Sequence, residues 1–391
     1  MRIAYVSTYN SLDIDQWSGL GYYMCKSLSD QGLSVLLINC SVPFSSWVKF
    51  KARVIQSIFG KTYQVDRDPA HLKRIAAIAE EKLSRENYDL VLSPGSLPIS
   101  YLKVTKPVVF WTDATYDCLV DFYPGWKNLS TRSIQNGNKA EQLAIDKASL
   151  IFYTSEWARQ NALKVYNANP DKVKEIPSGS NMEGKLSEED VDNLIKSRRS
   201  GSVVNLLFVG VDWKRKGGDL AVATVEALLK DGINATLTVI GCTLPAKFEN
   251  LAYIQSFPFI SKNNQEGIDK LTSFFEQATF FLLPTRAECF GVVFAEASSF
   301  GLPVITSDVG GNTSAVLHGQ TGYCLPLDAF PEKAAEMING LLRSELQYEQ
   351  FSLNSFSHFR RSLNWEVIGR KAVNEMMNLL SKEEKLELNH K

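Results

Sequence analysis

Short runs of β-branched and aromatic residues alternate with helical stretches along this chain, and the alternation restarts once near its middle. In the first half, strand-like runs fall at residues 3–7, 34–39, 90–93, 108–111 and 150–154, with helical periodicity clearest at 72–85 and 142–147. Such alternation produces parallel strands covered by helices on both faces. Residues 179–202 then turn polar, rich in Ser, Glu, Asp and Lys, as a connection between domains does. The pattern resumes with strand-like runs at 203–209, 235–240, 279–283 and 303–306 and helical ones at 219–230, about 292–300, 332–343 and 366–380. At 391 residues the chain exceeds one ordinary core. The expected fold class is therefore α/β with two doubly wound domains: residues 1–180, a linker at 181–202, and residues 203–364. The last eleven residues, from Ser381, are charged and expected to fray.

Several function classes are disfavoured at this level. Lys plus Arg (42) nearly balances Asp plus Glu (43), so no global field favours nucleic acid, and any anion must be gripped locally. The N-terminal Met1-Arg2-Ile3-Ala4-Tyr5-Val6-Ser7 reads as a strand rather than a signal peptide, and no apolar run approaches the ~20 residues of a membrane span. Six scattered cysteines without a Cys-x-x-Cys pair and four scattered histidines predict neither a disulfide framework nor a protein-held metal. A cytoplasmic protein is expected. Pro94-Gly-Ser-Leu-Pro98 lacks the second glycine of a hydrolase nucleophile elbow.

The most informative stretch is Leu283-Pro-Thr-Arg-Ala-Glu-Cys-Phe-Gly-Val-Val-Phe-Ala-Glu-Ala297. It predicts a strand ending at Leu283, a loop carrying Glu288 and Cys289, and a helix opening near Gly291. Ligands of open α/β sheets bind at such carboxyl ends. The amides of Gly291, Val292 and Val293, with the helix dipole behind them, offer a diphosphate site. Glu296 stands in an otherwise apolar helix, where an unpaired carboxylate costs several kcal/mol. It has two readings: acceptor for a ribose diol, or partner of a neighbouring Arg or Lys. Glu288 is likewise either an acceptor for sugar hydroxyls or a solvated loop residue.

Phe208-Val-Gly-Val-Asp-Trp-Lys-Arg-Lys-Gly-Gly-Asp219 repeats the strand-to-helix junction, and Lys214, Arg215 and Lys216 place cations where a leaving diphosphate develops charge. A solvated basic loop has the same composition. Gly19-x-Gly21 follows the first strand without the third glycine of a dinucleotide fingerprint, because Met24 stands there. It is either a sugar or phosphate contact or a plain turn. Phe110-Trp-Thr-Asp-Ala-Thr-Tyr-Asp117 carries Asp113, read as an acceptor contact or a local helix cap. Ser307-Asp-Val-Gly-Gly-Asn-Thr313 either touches the donor or turns the chain.

These segments together look like family 4 of the retaining glycosyltransferases. The resemblance rests on Glu288-x7-Glu296 with Phe290-Gly291, on Gly301-Leu-Pro-Val-Ile305, Gly310-Gly311 and His318-Gly-x-x-Gly322, and on Gly210 with Lys216-Gly217. It is looser in the first half, at Gly19-x-Gly21, Ser155-Glu-Trp157 and Pro177-x-Gly179. It implies a GT-B architecture: two Rossmann-like domains facing across a cleft, a donor site mainly in the second, and a last helix at about 365–385 crossing back to the first. It also implies a hexosyl transfer with retention from a nucleotide-sugar co-substrate, without metal or other cofactor. By this likeness Glu288 contacts the donor sugar, Glu296 the ribose, Phe290 to Val292 the sugar and phosphate through main-chain groups, and Lys216 the diphosphate, with Arg215 beside it. Three positions depart from the pattern. Val211 replaces a usual arginine, Asp113 stands near where a histidine is common, and Ser314 replaces a glutamate.

The base (UDP, GDP or ADP, with UDP first), the sugar and the acceptor, whether a sugar, a lipid or a small molecule, are not specified. Two other readings remain at this level: a sugar-nucleotide epimerase or hydrolase of the same architecture, and a non-catalytic sugar-nucleotide-binding subunit. Finally, residues 47–61 combine Lys49, Lys51, Arg53 and Lys61 with Trp47, Phe50, Ile55, Ile58 and Phe59. Such a helix either lies peripherally on an anionic membrane or packs on its own domain with a solvated basic face.

Overall fold

The computed structural model describes residues 1–182 and 186–389, which divide into two units: residues 1–176 with 368–389, and residues 177–182 with 186–367. The first is built on a six-stranded parallel sheet of β1 (Arg2–Ser7), β2 (Ser34–Asn39), β3 (Leu90–Ser93), β4 (Val108–Thr112), β5 (Leu150–Tyr153) and β6 (Val173–Glu175), in the order β2-β1-β3-β4-β5-β6. The central strands β3, β4 and β5 are buried throughout, which explains why they read as unbroken apolar runs rather than alternating ones. Val6, Val91, Phe110 and Ile151 carry this core. The last helix, Trp365–Asn389, belongs to this unit from Ile368 onward, and Gly369 lets it approach Ser27, whose carbonyl oxygen a Cβ would meet at 2.7 Å. Its helical backbone runs through residues 381–389, which the charged composition marked for fraying.

The second unit holds β7 (Val204–Val209), β8 (Ala235–Ile240), β9 (Ile254–Phe257), β10 (Phe280–Leu283), β11 (Val304–Ser307) and β12 (Gly322–Leu325), all parallel, in the order β12-β11-β10-β7-β8-β9. Counted within the unit this is 6-5-4-1-2-3, the dinucleotide-binding order, with its reversal between β7 and β10. A stack of Phe275 between Phe281 and Phe300, with centroids 6.0 and 5.2 Å apart, fixes the helices on β10. Residues 188–200, within the stretch read as a linker, form a helix of this unit capped by Ser187 and Asp190. Its buried Arg198 donates to the carbonyls of Phe275, Glu276 and Phe300 at 3.0–3.1 Å. That composition looked polar because its apolar contacts are few, Val191 and Ile195, while Arg198 packs by hydrogen bonds. Residues 183–185 of the expected linker lie outside the described residues.

Candidate functional site

The carboxyl ends of β7 and β10 are adjacent, since the two strands pair at Phe280 with Leu206 and Phe281 with Leu207. After β10 the chain runs through Pro284 to Phe290 and enters the helix Val292–Ser299 with Gly291 as its N-cap at φ +82°. A Cβ on Gly291 would stand 2.4 Å from the Phe294 ring and 3.2 Å from the Glu288 side chain, so only glycine brings the backbone round here. Cys289 and Phe290 are buried in the fold, leaving main-chain groups as the surface this loop offers. The first amides of the helix have no carbonyl one turn earlier to bond.

After β7, Gly210 leads into a single helical turn, Trp213–Lys216, capped by Asp212. Lys214 is exposed, Arg215 half-buried and Lys216 buried. Lys216 donates to Glu288 Oε2, and Arg215 Nη1 lies 3.5 Å from the same oxygen while donating to the Ala287 carbonyl at 2.9 Å. Three cations adjacent in sequence thus have three different environments. The two loops are also laced by the backbone: Arg286 N donates to Arg215 O at 2.7 Å, and Gly217, at φ +77°, sits where a Cβ would meet Pro284 O at 2.0 Å. Gly210 is required by the lysine itself, whose Cγ a Cβ would meet at 2.9 Å. Arg286 makes a two-pronged bond to Asp219 at 2.8 and 2.8 Å and holds that carboxyl below its ordinary range.

Glu288 is therefore not a solvated loop residue but a buried carboxylate with two cations. Its main-chain oxygen accepts from Gly311 N at 3.1 Å, which places the Gly310-Gly311 turn after β11 beside it. Glu296, 3% exposed, pairs with Lys262, so in this structure it has the lysine partner that one reading anticipated. Lys262 lies in the loop after β9, in a Ser-Lys-Asn-Asn run that carried no distinctive signal in the sequence. The anchoring roles of Arg286 and Asp219 were equally silent there. Among the described residues no three His, Cys, Asp or Glu side chains gather as a metal-ion site.

The remaining candidates lie in the first unit. Gly19 caps the helix Leu20–Asp30 in a left-handed conformation, and Gly21 packs against the Tyr9 side chain, whose hydroxyl oxygen a Cβ would meet at 2.4 Å. Asp113, beyond the carboxyl end of β4, accepts from Trp17 Nε1 at 3.2 Å. It is not the cap of the following helix, because Thr115 Oγ1 takes that place by accepting from Cys118 N at 3.2 Å. Trp17 and Ser18 are held at φ +48° and +53°, an uncommon conformation that sets the Trp17 indole toward Asp113. The structure thus brings Glu288, Arg215, Lys216, Gly210 and Gly291 together in the second unit and Asp113 with the Gly19 loop in the first.

Residues 204–344, which contain the β7–β10 site, match the family model described as glycosyl transferases group 1. Among curated relatives, the capsular polysaccharide biosynthesis glycosyltransferase CapM of Staphylococcus aureus is 25% identical over 251 residues, 62% of this chain and 65% of that protein. A D-inositol 3-phosphate glycosyltransferase of Acidothermus cellulolyticus is 30% identical over 212 residues, 50% of this chain and 46% of that protein. The chain spans less than two thirds of the length of these relatives. Among solved structures, sucrose-phosphate synthase from Thermosynechococcus elongatus has a TM-score of 0.70 at 15% identity, covering 97% of this chain and 99% of that one. Anabaena HepE, in complex with UDP and glucose, has a TM-score of 0.61 at 16% identity over 96% and 99%. The structural likeness shows the fold, the α/β GT-B type with two Rossmann-like units. The family match over residues 204–344 supports a group 1 glycosyltransferase.

Proposed function

We propose that this protein transfers a hexosyl group from a nucleoside diphosphate sugar to an acceptor hydroxyl, with retention at the anomeric carbon and without a metal. One observation carries the reading: a buried carboxylate, Glu288, held by Lys216 and Arg215 beside a glycine-opened helix at the strand-order reversal of a dinucleotide-type sheet. A diphosphate seated at the first amides of the helix Val292–Ser299 takes charge-assisted bonds from Lys216 and Arg215. Glu288, oriented by the same two cations, accepts from the sugar hydroxyls. Glu296 takes the ribose hydroxyls once Lys262 shares or yields it. UDP is the first nucleotide to test, since HepE is recorded with UDP and glucose.

The chemistry needs no enzyme nucleophile. The acceptor oxygen bonds to the anomeric carbon on the face from which the phosphate oxygen departs, the carbon–oxygen bond to phosphate breaks, and the acceptor proton passes to a phosphate oxygen. The products are a glycoside and a nucleoside diphosphate. Lys216 and Arg215 act where negative charge develops in the transition state, the placement from which electrostatic catalysis draws most. Asp113 is assigned to the acceptor side, steadied by the Trp17 indole.

Incubating the protein with UDP-, GDP- and ADP-sugars, with and without a panel of acceptors, tests this. Donor consumption that accelerates on adding an acceptor, and a fall in that rate of at least a hundredfold in Glu288→Gln with the fold intact, are expected. Donor turnover indifferent to every acceptor would point instead to a hydrolase or epimerase on the same fold, and transfer that survives in Glu288→Gln within a few-fold removes the assigned role.

A further inference from the structure

The helix Ser46–Phe59, capped by the Ser45 hydroxyl, is packed on the first unit through few side chains, of which only Val48 is fully buried. Trp47, Phe50, Ile58 and Phe59 are 64%, 53%, 66% and 68% exposed. Among the described residues, three of the four exposed large aromatics lie on this one helix. At 100° per residue, positions 47, 50, 54 and 58 share one face, and the Trp47 and Phe50 rings stack there with centroids 5.7 Å apart. A scattered exposed apolar residue is ordinary, whereas an aligned stripe of this kind needs a reason.

The charge around the stripe has one sign. No Asp or Glu occurs between residues 31 and 65, whereas Lys49, Lys51, Arg53 and Lys61 do. Lys51 is engaged with buried Asp68, and Asp66, at the end of this run, pairs with Arg67 at 3.5 Å. Lys49, Arg53 and Lys61 are exposed. The fold adds cations that the sequence separates. Thr62 N donates to Asn128 O at 3.0 Å and Ser130 N to Thr62 O at 2.8 Å, which sets exposed Lys127 and Arg132 near Lys61, at the end of the helix where Ile58 and Phe59 stand.

The geometry points to this helix as a peripheral docking surface for an anionic phospholipid bilayer, lying in the membrane plane. Trp47, Phe50 and Ile58 enter the headgroup–acyl boundary, while Lys49, Arg53, Lys61, Lys127 and Arg132 meet the lipid phosphates. The surface is independent of the β7–β10 site and of the reaction assigned to it. No helix among the described residues is long and apolar enough to cross a membrane.

Flotation of the full chain with vesicles tests the surface. The protein is expected to float with phosphatidylcholine mixed with phosphatidylglycerol, to remain behind with phosphatidylcholine alone, and to detach as salt rises toward about 1 M, where the Debye length is ~3 Å. Lys49→Ser with Arg53→Ser lowers the partition coefficient about twenty-fivefold, at roughly fivefold per cation. Trp47→Ser with Ile58→Ser lowers it at least tenfold, by roughly the transfer of two apolar side chains back to water. Both variants keep the wild-type melting temperature, because the altered side chains are exposed. Wild-type protein that never floats, equal partition to the neutral vesicles, or variants that float like the wild type overturns the proposal. Absence of flotation together with a dimer that Trp47→Ser dissolves would assign the stripe to a second copy of the chain instead.

Discussion

Replacing Lys216 by methionine removes the ammonium but keeps the buried stem, so the change isolates charge. Breaking a buried ion pair by deleting one partner costs roughly 3–5 kcal/mol, because the other charge remains buried. Here Arg215, 3.5 Å from the same Glu288 oxygen, retains part of the compensation. The expected loss is therefore about 2–3 kcal/mol, or about 4–12 °C in the melting temperature of a unit this size. Adding Glu288→Gln removes the uncompensated carboxylate, and the double variant should recover about 2 kcal/mol relative to the sum of the two single changes, within the range seen for contacting residues. Calorimetric melting of wild type, both single variants and the double variant closes this cycle. Transfer rate, measured on the same four proteins, should fall in all three variants and not recover in the double one. Stability losses that simply add would mean that Lys216 and Glu288 are not energetically coupled, and activity restored along with stability would make the pair a structural strut rather than part of the donor site.

Two further outcomes follow from the same structure. Gly291→Ala puts a Cβ 2.4 Å from the Phe294 ring at φ +82° and should lower stability by about 1–3 kcal/mol and nucleotide affinity at least tenfold, whereas Gly301→Ala, at φ +63° and 2.7 Å from Val191 but past the opposite end of the helix Val292–Ser299 from the Glu288 loop, should lower stability alone; equal affinity losses in both would attribute the effect to folding. In the first unit, burial raises the Glu141 carboxyl above its ordinary value, so the folded state holds that proton more tightly than the unfolded one and loses stability as pH rises past about 4. Glu141→Gln, which keeps an oxygen to accept from Ser96 Oγ, should melt higher than wild type near pH 7 (about three units above the ordinary value) and converge with it near pH 4; a difference that does not change with pH refutes that assignment.

The sheets were legible because parallel strands buried on both faces leave continuous apolar runs, as at Val108–Thr112 and Phe280–Leu283. The strands that escaped are peripheral. Val173–Glu175 is three residues long, Ile254–Phe257 has two exposed positions, and Gly322–Leu325 opens with a glycine. The helix Glu345–Ser362 escaped because serines such as Ser352 and Ser355 occupy its buried face, with Ser355 Oγ bonding Leu302 O at 2.9 Å. At the site, Glu288, Gly291 and Lys216 could be picked out, since a carboxylate, a glycine and cations at two strand ends are unusual together. What spacing could not give is that Lys216 turns inward to Glu288 while Lys214 turns out, a choice made by one helical turn between Asp212 and Gly217. Nor could it give Lys262 as the partner of Glu296, a pair formed across 34 residues by the strand order.

Titration calorimetry of UDP, GDP and ADP into wild-type protein and Glu296→Ala examines the donor site itself. One nucleoside diphosphate should bind the wild type at a single site, and the alanine variant, folded as judged by its melting, should bind it at least tenfold more weakly, about 1.4 kcal/mol or more, through loss of the ribose contact. If no nucleoside diphosphate binds, or if Glu296→Ala binds with unchanged affinity, the β7–β10 junction does not hold the donor as described.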